Sequence, residues 1–298
     1  MKKEKSCGAV VYKIENNQIL FLIEKMNHGH FSMPKGHVEN NETEIQTALR
    51  EIKEETNLDV TLDSSFRQVI TYAPYQDCLK DVVFFIAKAK SGKIKNQECE
   101  VSKIDFLPFD KAIKTLTYKY DKEVLLKAYL YLIKKLIKKI IIIGCPGSGK
   151  SYLSKVLAKS LNLPLYHIDM LYWYDDWKHI TNEQLKEKLS EITNGKKWII
   201  DGNYSNTLKD RIDKAELVIY MNLATKTCLK GYYSRLNNKR DDMPLTCVEK
   251  VDEEFVNYIK TFKKTKGKKI KKMINNKNVL TITNVKDRKD IEDILTKM

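Results

Sequence analysis

The chain has 298 residues, 54 Lys and Arg against 39 Asp and Glu, a formal net charge of +15 and 42% hydrophobic residues. That length exceeds one typical domain and favours two, each able to bury its own core. Cys7, Cys78, Cys99, Cys145, Cys228 and Cys247 are scattered without a C-x-x-C pair, a usage that argues against a zinc site and a disulfide framework and fits a reducing cytoplasm. Met1 to Lys5 is basic, but the apolar run after it is short and broken by Lys13 and Glu15, unlike a signal-peptide core. The most apolar stretch, Ile140 to Ile143, is far too short to span a bilayer, so no membrane partner is expected.

Cys7 to Lys13 and Gln18 to Glu24 are β-rich and apolar, and Glu15-Asn16-Asn17 between them predicts a hairpin. His28, His30 and Phe31 lead into Pro34-Lys35-Gly36-His37, where Gly36 lets backbone approach a phosphate or metal closely. Single histidines are more often structural than catalytic, so His28 and His30 are assigned only a place near the pocket.

The next stretch, Gly36 to Leu58, is a loop running into an acidic helix. At roughly 100° per residue, Glu51 and Glu55 lie about 40° apart on one face with Glu44 between them. Carboxylates on one stripe repel one another unless a cation sits there. Ile45, Ala48, Leu49 and Ile52 make a separate apolar face for docking. The pattern predicts a divalent-metal site; a solvated glutamate-rich surface helix is the alternative for such a run. Asn57 follows the helix, and asparagine tolerates the left-handed conformation of a helix end.

Arg67 to Tyr72 and Asp81 to Ala89 read as strands, with Tyr72 and Tyr75 near their connection, where an aromatic ring can stack on a base or pack at the core edge. Glu98 and Glu100 follow in a polar loop. Ile104 to Pro108, a short helix near Phe109 to Leu116 and an amphipathic helix from Tyr120 to Lys138 complete an α/β unit.

Lys139 to Ile143 reads as a buried strand feeding Gly144-Cys145-Pro146-Gly147-Ser148-Gly149-Lys150-Ser151, a complete G-x-x-x-x-G-K-[ST] pattern followed by the helical Tyr152 to Leu161. In such a P-loop the backbone N–H groups cradle phosphates at a helix N-terminus, with Gly144, Gly147, Ser148 and Gly149 shaping the turn. Lys150 reaches the β/γ-phosphates and Ser151 ligates Mg²⁺. Leu163 to Asp169, Trp198 to Asp201, Leu217 to Met221 and Val279 to Ile282 are strand segments alternating with helices, the pattern of a parallel sheet. Asp169 is expected at a strand end, facing an acceptor. Arg235, Lys239 and Arg240 flank a polar segment that reads as a small lid, and arginines suit the clamping of a transferred phosphate. Lysine-rich Lys134 to Lys139 and Lys260 to Lys272 read first as solvated helix faces. They also suit steering of polyanionic nucleotides, with nucleic acid a lesser expectation.

The run G-x5-E-x7-R-E-U-x-E-E, carried by Gly36, Glu42, Arg50, Glu51, Ile52, Glu54 and Glu55, resembles the Nudix box, with Asn57 in place of its last glycine. Residues 3 to about 137 are similar to Nudix hydrolases, and Pro34 to Glu39 most resemble the asymmetric diadenosine tetraphosphate hydrolases. The resemblance implies an α/β/α sandwich over 1–138. It also implies Mg²⁺ or Mn²⁺ held by Glu51, Glu54, Glu55, a carbonyl at Gly36 and a later glutamate matched by Glu100. Arg50 would orient the adjacent catalytic glutamate, and either Glu51 or Glu54 would be the base. The substrate implied is a dinucleoside polyphosphate or related nucleotide.

Residues 139–298 resemble adenylate-kinase-like P-loop proteins of the DNA topology modulation type, through the P-loop, Tyr166 to Asp169 and Trp198 to Tyr204. That implies a nucleoside-monophosphate-kinase-like domain with ATP as substrate, Lys150 as its catalytic lysine, Asp201 organising Mg²⁺ water, and Arg235 and Arg240 near the phosphates. Two other readings stay open: hydrolysis at an RNA 5′ end, and a P-loop domain that only senses nucleotide.

Overall fold

The computed structural model describes residues 2–95, 97 and 99–297, so Glu98 lies outside the described residues. The chain divides into two compact units, Met1–Ile133 and Lys134–Met298. Among the described residues no helix is long and apolar enough to cross a membrane, and the six cysteines are free thiols.

The first unit runs β1 (Lys2–Glu15), β2 (Gln18–Met26), β3 (Phe31–Ser32), β4 (Lys35–His37), α1 (Glu44–Thr56), β5 (Asp59–Tyr72), β6 (Cys78–Ser91), β7 (Val101–Pro108), α2 (Phe109–Thr115) and α3 (Lys119–Leu136). The β1–β2 hairpin closes through Asn16 and Asn17, at φ 49° and 60°, the left-handed pair that matches strand twist in a two-residue turn. One mixed sheet carries the strands in the order β3-β2-β1-β6-β5, with β4 pairing β1 and β7 pairing β2. Only the β1–β6 ladder is parallel.

Alternation along these strands builds a core on each face of the sheet. Cys7, Ala9, Val11, Leu22, Val83 and Phe85 pack with Ala48 and Ile52 of α1. Phe21 points the other way, against Phe109 of α2 and Tyr129 of α3, whose rings stack at 4.1 Å. The result is a helix–sheet–helix arrangement.

Helix α1 does not present the apolar face its sequence suggests. Ala48 and Ile52 are buried, but Ile45 and Leu49 stand 40% and 38% exposed. The surface turned inward includes Glu51 and Glu55. The helix is rotated so that part of its acidic stripe faces the sheet, which an amphipathic rule cannot anticipate. Its ends are well fixed: Thr43 forms a capping box with Gln46, and Asn57 takes the left-handed cap at φ 60°.

The second unit runs β8 (Lys139–Gly144), α4 (Lys150–Leu161), β9 (Leu165–His167), α5 (Ile168–Tyr172), β10 (Trp173–Tyr174), β11 (Lys178–His179), α6 (Asn182–Asn194), β12 (Trp198–Asp201), α7 (Ser205–Lys214), β13 (Leu217–Met221), α8 (Thr225–Tyr233), α9 (Glu253–Thr261), α10 (Lys266–Met273), β14 (Val279–Ile282) and α11 (Val285–Lys297). Its sheet is parallel throughout, in the order β14-β13-β8-β12-β9. Central β8 is an unbroken buried run, Ile140 to Ile143, as expected of a strand covered on both faces. The expected strand Leu163 to Asp169 is cut short, because the chain turns into α5 at Ile168 and Asp169 sits in its first turn.

The α1 N-cap sets where the acidic helix begins. Thr43→Ala should lower the stability of the first unit by about 1 kcal/mol, read as a shift of the urea midpoint. An unchanged midpoint would show that the cap contributes nothing.

Candidate functional site

The first site is built around the guanidinium of Arg50 on α1. Its Nε and Nη2 donate to Glu42 at 2.8 and 3.0 Å, Nη1 donates to Glu51 at 2.8 Å and Glu54 at 2.9 Å, and Nη2 also donates to the carbonyl of His37 at 2.9 Å. One planar cation therefore ties three carboxylates of the motif to the loop before the helix. The Arg50 hydrogen bonds hold the half-buried Glu42 carboxyl down at about 2.

Behind this cation the carboxylates are crowded and short of solvent. Glu55 is 1% exposed, and one of its oxygens accepts the backbone N–H of Lys35 at 3.0 Å. Burial pushes its pKa up to about 8, against the opposing charge of Lys35 and with Glu51 adding to the rise. Glu51 is raised in the same direction, by burial, with Arg50 opposing. Glu54, by contrast, has a half-exposed side chain. Gly36 on β4 completes the enclosure: a Cβ there would lie 2.0 Å from the Glu51 carboxylate, so only glycine lets that carboxylate rest against the backbone.

Sequence reasoning missed Glu24 on β2. It is fully buried, and neither carboxylate oxygen has a hydrogen-bond partner. Burial and the neighbouring charge of Glu55 raise its pKa well above the usual carboxylate range. The signal was a single carboxylate inside an apolar strand, on the same face as Leu22. Glu44, placed on the acidic stripe by its spacing, belongs elsewhere: it pairs with Arg67 at 2.7 Å and Lys5 at 2.6 Å, and Arg67 above all holds it at about 2. Glu100 is exposed just before β7, and its charge is felt at both Glu51 and Glu55. His28 is exposed, while His30 lies against the Tyr118 ring at 5.5 Å.

Among the described residues no three carboxylate, imidazole or thiol groups form a finished metal cage. The donor set nonetheless fits a hard divalent cation. It offers oxygen ligands, two of them orphaned and buried on Glu24, in a cluster whose carboxylates resist ionising together. A cation would relieve that repulsion.

In the same unit Tyr72 and Tyr120 present almost parallel rings, 13° apart in orientation with centroids separated by 6.5 Å. Tyr75 instead donates its hydroxyl to Glu4 at 2.7 Å.

The second unit holds a separate cavity of about 1320 Å³, with Gly147, Ser148, Gly149, Lys150 and Ser151 in its lining. The 144–151 loop is clamped by Asn203, whose side chain donates to the Gly144 carbonyl at 2.8 Å and accepts its N–H at 3.0 Å. Arg211, buried in α7, fixes the segment carrying Asn203 by donating to the carbonyls of Gly202, Asn203 and Tyr204. Gly149 has φ 86°, and a Cβ there would lie 2.2 Å from the Arg288 guanidinium. Lys150 donates to the carbonyls of Gly144 and Cys145, both at 3.2 Å, and burial lowers its pKa against the opposing charges of Asp201 and Asp169.

Asp201 ends β12 as its sequence suggests, held by Ser154 and His167 at 2.9 Å each. Arg235 and Arg240 reach the same cavity but are not free. Arg235 pairs with Glu249 at 2.6 Å, and Arg240 pairs with Asp242 at 2.6 Å and Glu249 at 3.1 Å. Burial opposes the charge of Asp242, yet Arg240 and the Ser151 hydroxyl hold its carboxyl well below the usual range. Asn203, Asp242 and Arg288 went unnoticed in the sequence because each belongs to an ordinary polar segment whose position only the fold reveals.

Residues 4–128 match the NUDIX domain family. The chain is 30% identical over 140 residues to the pig (Sus scrofa) bis(5′-nucleosyl)-tetraphosphatase [asymmetrical], covering 43% of this chain and 95% of that protein. It is 36% identical over 104 residues to an 8-oxo-(d)GTP phosphatase of Mycolicibacterium smegmatis, covering 35% of this chain and 31% of that one. A solved C. elegans Ap4A hydrolase binary complex is 27% identical, covering 43% of this chain and 97% of its own, at a TM-score of 0.41. With Arg50, Glu51, Glu54 and Glu55 of the box on one helix and a tetraphosphatase relative matched along nearly its whole length, the chain belongs to the Nudix family through its N-terminal region.

Proposed function

We propose that the N-terminal region, residues 1–138, is a divalent-metal-dependent pyrophosphohydrolase that cleaves dinucleoside polyphosphates. We infer further that residues 139–298 form a P-loop domain that binds ATP and transfers its terminal phosphoryl group. The observation that carries the first reading is the buried carboxylate cluster of Glu24, Glu51 and Glu55, closed by Gly36 and held by Arg50. It occurs in a chain of the Nudix family whose relative is a tetraphosphatase.

Glu51, Glu54 and Glu55, with the Gly36 carbonyl and Glu100, would hold Mg²⁺ or Mn²⁺, which when bound neutralises crowded phosphate charge and acidifies a water. Arg50 keeps Glu51 and Glu54 in fixed orientations, and one of these two accepts the proton of the attacking water. Water attack on a phosphorus releases two nucleotide products. The nearly parallel rings of Tyr72 and Tyr120 suit stacking against a base.

The second reading rests on the 144–151 loop, its Asn203 clamp and the recessed Lys150. Lys150 now leans on two loop carbonyls and would turn to the β/γ-phosphates of ATP. Asp201 and Ser151 would organise its Mg²⁺, while Arg235 and Arg240 flank the cavity. Lys150→Ala should abolish ATP binding measured by titration calorimetry and leave hydrolysis by the first unit unchanged; loss of both activities would contradict separate sites.

The hydrolase assignment is tested on diadenosine tetraphosphate beside a panel of nucleoside triphosphates that includes 8-oxo-dGTP. Glu51→Gln and Glu55→Gln should each lower turnover by about 10²- to 10⁴-fold, and undiminished hydrolysis in both would sink the site assignment. Gly36→Ala separates site geometry from folding. The added Cβ meets the end of a flexible side chain, so the Glu51 carboxylate must swing away while the unit stays folded. Activity should fall at least tenfold with the circular dichroism spectrum and melting temperature nearly unchanged; full activity would show that the close approach of Gly36 and Glu51 has no part in catalysis.

A further inference from the structure

In the second unit, the cavity has a part of its lining that the proposed ATP site does not use. Asp169 lies there in the first turn of α5, lining the same cavity as Lys150 and Gly149. Its surface is reachable from the cavity, yet protein surrounds it, and the Tyr204 hydroxyl donates to its Oδ1 at 2.8 Å. We propose that this part binds the phosphoryl acceptor and that the acceptor is an uncharged alcohol with a flat aromatic face, of the nucleoside class, whose hydroxyl meets Asp169. The inference rests on the reading of this unit as an ATP-binding phosphotransferase.

Three observations define the acceptor chemistry. The first is the pairing of the arginines. A nucleoside monophosphate accepting the phosphoryl group would bring its own phosphate to Asp169, and the two arginines that feel Asp169, Arg235 and Arg240, are committed to Glu249 and Asp242 at 2.6 Å. Seating a second phosphate would mean breaking those pairs beside a third carboxylate, Asp169, whose charge both arginines feel. Placing an anion against three carboxylates and two neutralised arginines is unfavourable, whereas a neutral acceptor disturbs none of them.

The second is the wall. Trp173, Trp177 and Tyr204 line the cavity, and the two indoles meet edge to face at 5.4 Å. The β10–β11 connection holds both Asp176 and Trp177 at positive φ, 55° and 62°. A bulky residue pays a steric cost for that conformation, and here it puts an indole at the cavity rim, 39% exposed. Such a wall recognises a planar ring by stacking.

The third is the carboxylate. Tyr204 occupies one oxygen of Asp169 and fixes the group's orientation, leaving the other for an incoming hydroxyl. Burial raises the Asp169 pKa, with the Tyr204 hydrogen bond opposing, which makes it a better proton acceptor than a solvated aspartate.

The step balances with ATP as the only co-reactant. The acceptor oxygen forms a bond to the γ-phosphorus, and the bond from that phosphorus to the β–γ bridging oxygen breaks. ADP leaves with the electron pair, and the hydroxyl proton passes to Asp169.

The test uses the whole chain carrying Glu51→Gln, which silences the first unit. ATP binding is measured first by calorimetry, then phosphoryl transfer from ATP to the common ribo- and deoxyribonucleosides and to their monophosphates, with products resolved by mass. The expected result is ATP binding and transfer to nucleosides but not to monophosphates. Asp169→Asn should then lower kcat by about 10²-fold or more with the Kd for ATP within about twofold, and Asp169→Glu should recover part of the rate. Retained ATP affinity certifies that the variants fold. If ATP binds but transfer goes only to monophosphates, goes to neither class, or survives Asp169→Asn, the acceptor assignment is overturned while the ATP-binding reading stands. If the wild-type cavity does not bind ATP, both fall together.

Discussion

The first site depends on one guanidinium. Arg50 reaches Glu42, Glu51, Glu54 and the His37 carbonyl at once, and no other side chain type has the donors and the flat geometry to do this. Glu42 lies before α1, His37 ends β4, and Glu51 and Glu54 lie on the helix itself. The ion-pair network is therefore also a fold constraint, pinning the loop against the helix so that Gly36 comes within contact of Glu51. A lysine would keep the charge and lose the arrangement.

Around that cation the protein gathers more carboxyl groups than can readily ionise together. Glu24 and Glu55 are buried with raised pKa values, Glu51 is nearly buried, and Glu100 adds its field. A core built for stability alone would not enclose such a group. The same helix carries Ile45 and Leu49 out to solvent, so apolar residues are exposed while acidic ones are enclosed. Local energetics are sacrificed at the place where a divalent cation would restore them, which is where conflict between sequence rules and structure is expected.

Much of this was legible from residues. The spacing from Gly36 to Glu55 placed Arg50, Glu51 and Glu55 on one helix, Asn16-Asn17 marked the hairpin turn, and Asn57 took the left-handed cap its chemistry permits. Other parts were hidden because they depend on tertiary placement. Glu24 resembles any polar residue near a strand end, and only the β2 register buries it beside Glu55. Glu44 has the right helical angle but meets Arg67 and Lys5 first. Asp169 was expected at a strand end and sits in the first turn of a short helix, while the pairing of Arg235 and Arg240 with Glu249 joins residues that no local pattern connects.

The two units treat anions in opposite ways. The first gathers carboxylates and so would need a cation between itself and phosphate. The second would offer backbone N–H groups and Lys150 directly, with Arg235 and Arg240 already paired. The central claim is that the Arg50-centred site directs a water to phosphorus. Hydrolysis of diadenosine tetraphosphate by the whole chain in ¹⁸O-labelled water, with Mg²⁺ present and each product weighed, tests it most directly. Such attack should give two unequal nucleotide products with a single ¹⁸O in one of them, and no reaction when the divalent cation is chelated. Unlabelled products, or turnover that persists without a divalent cation, would contradict it.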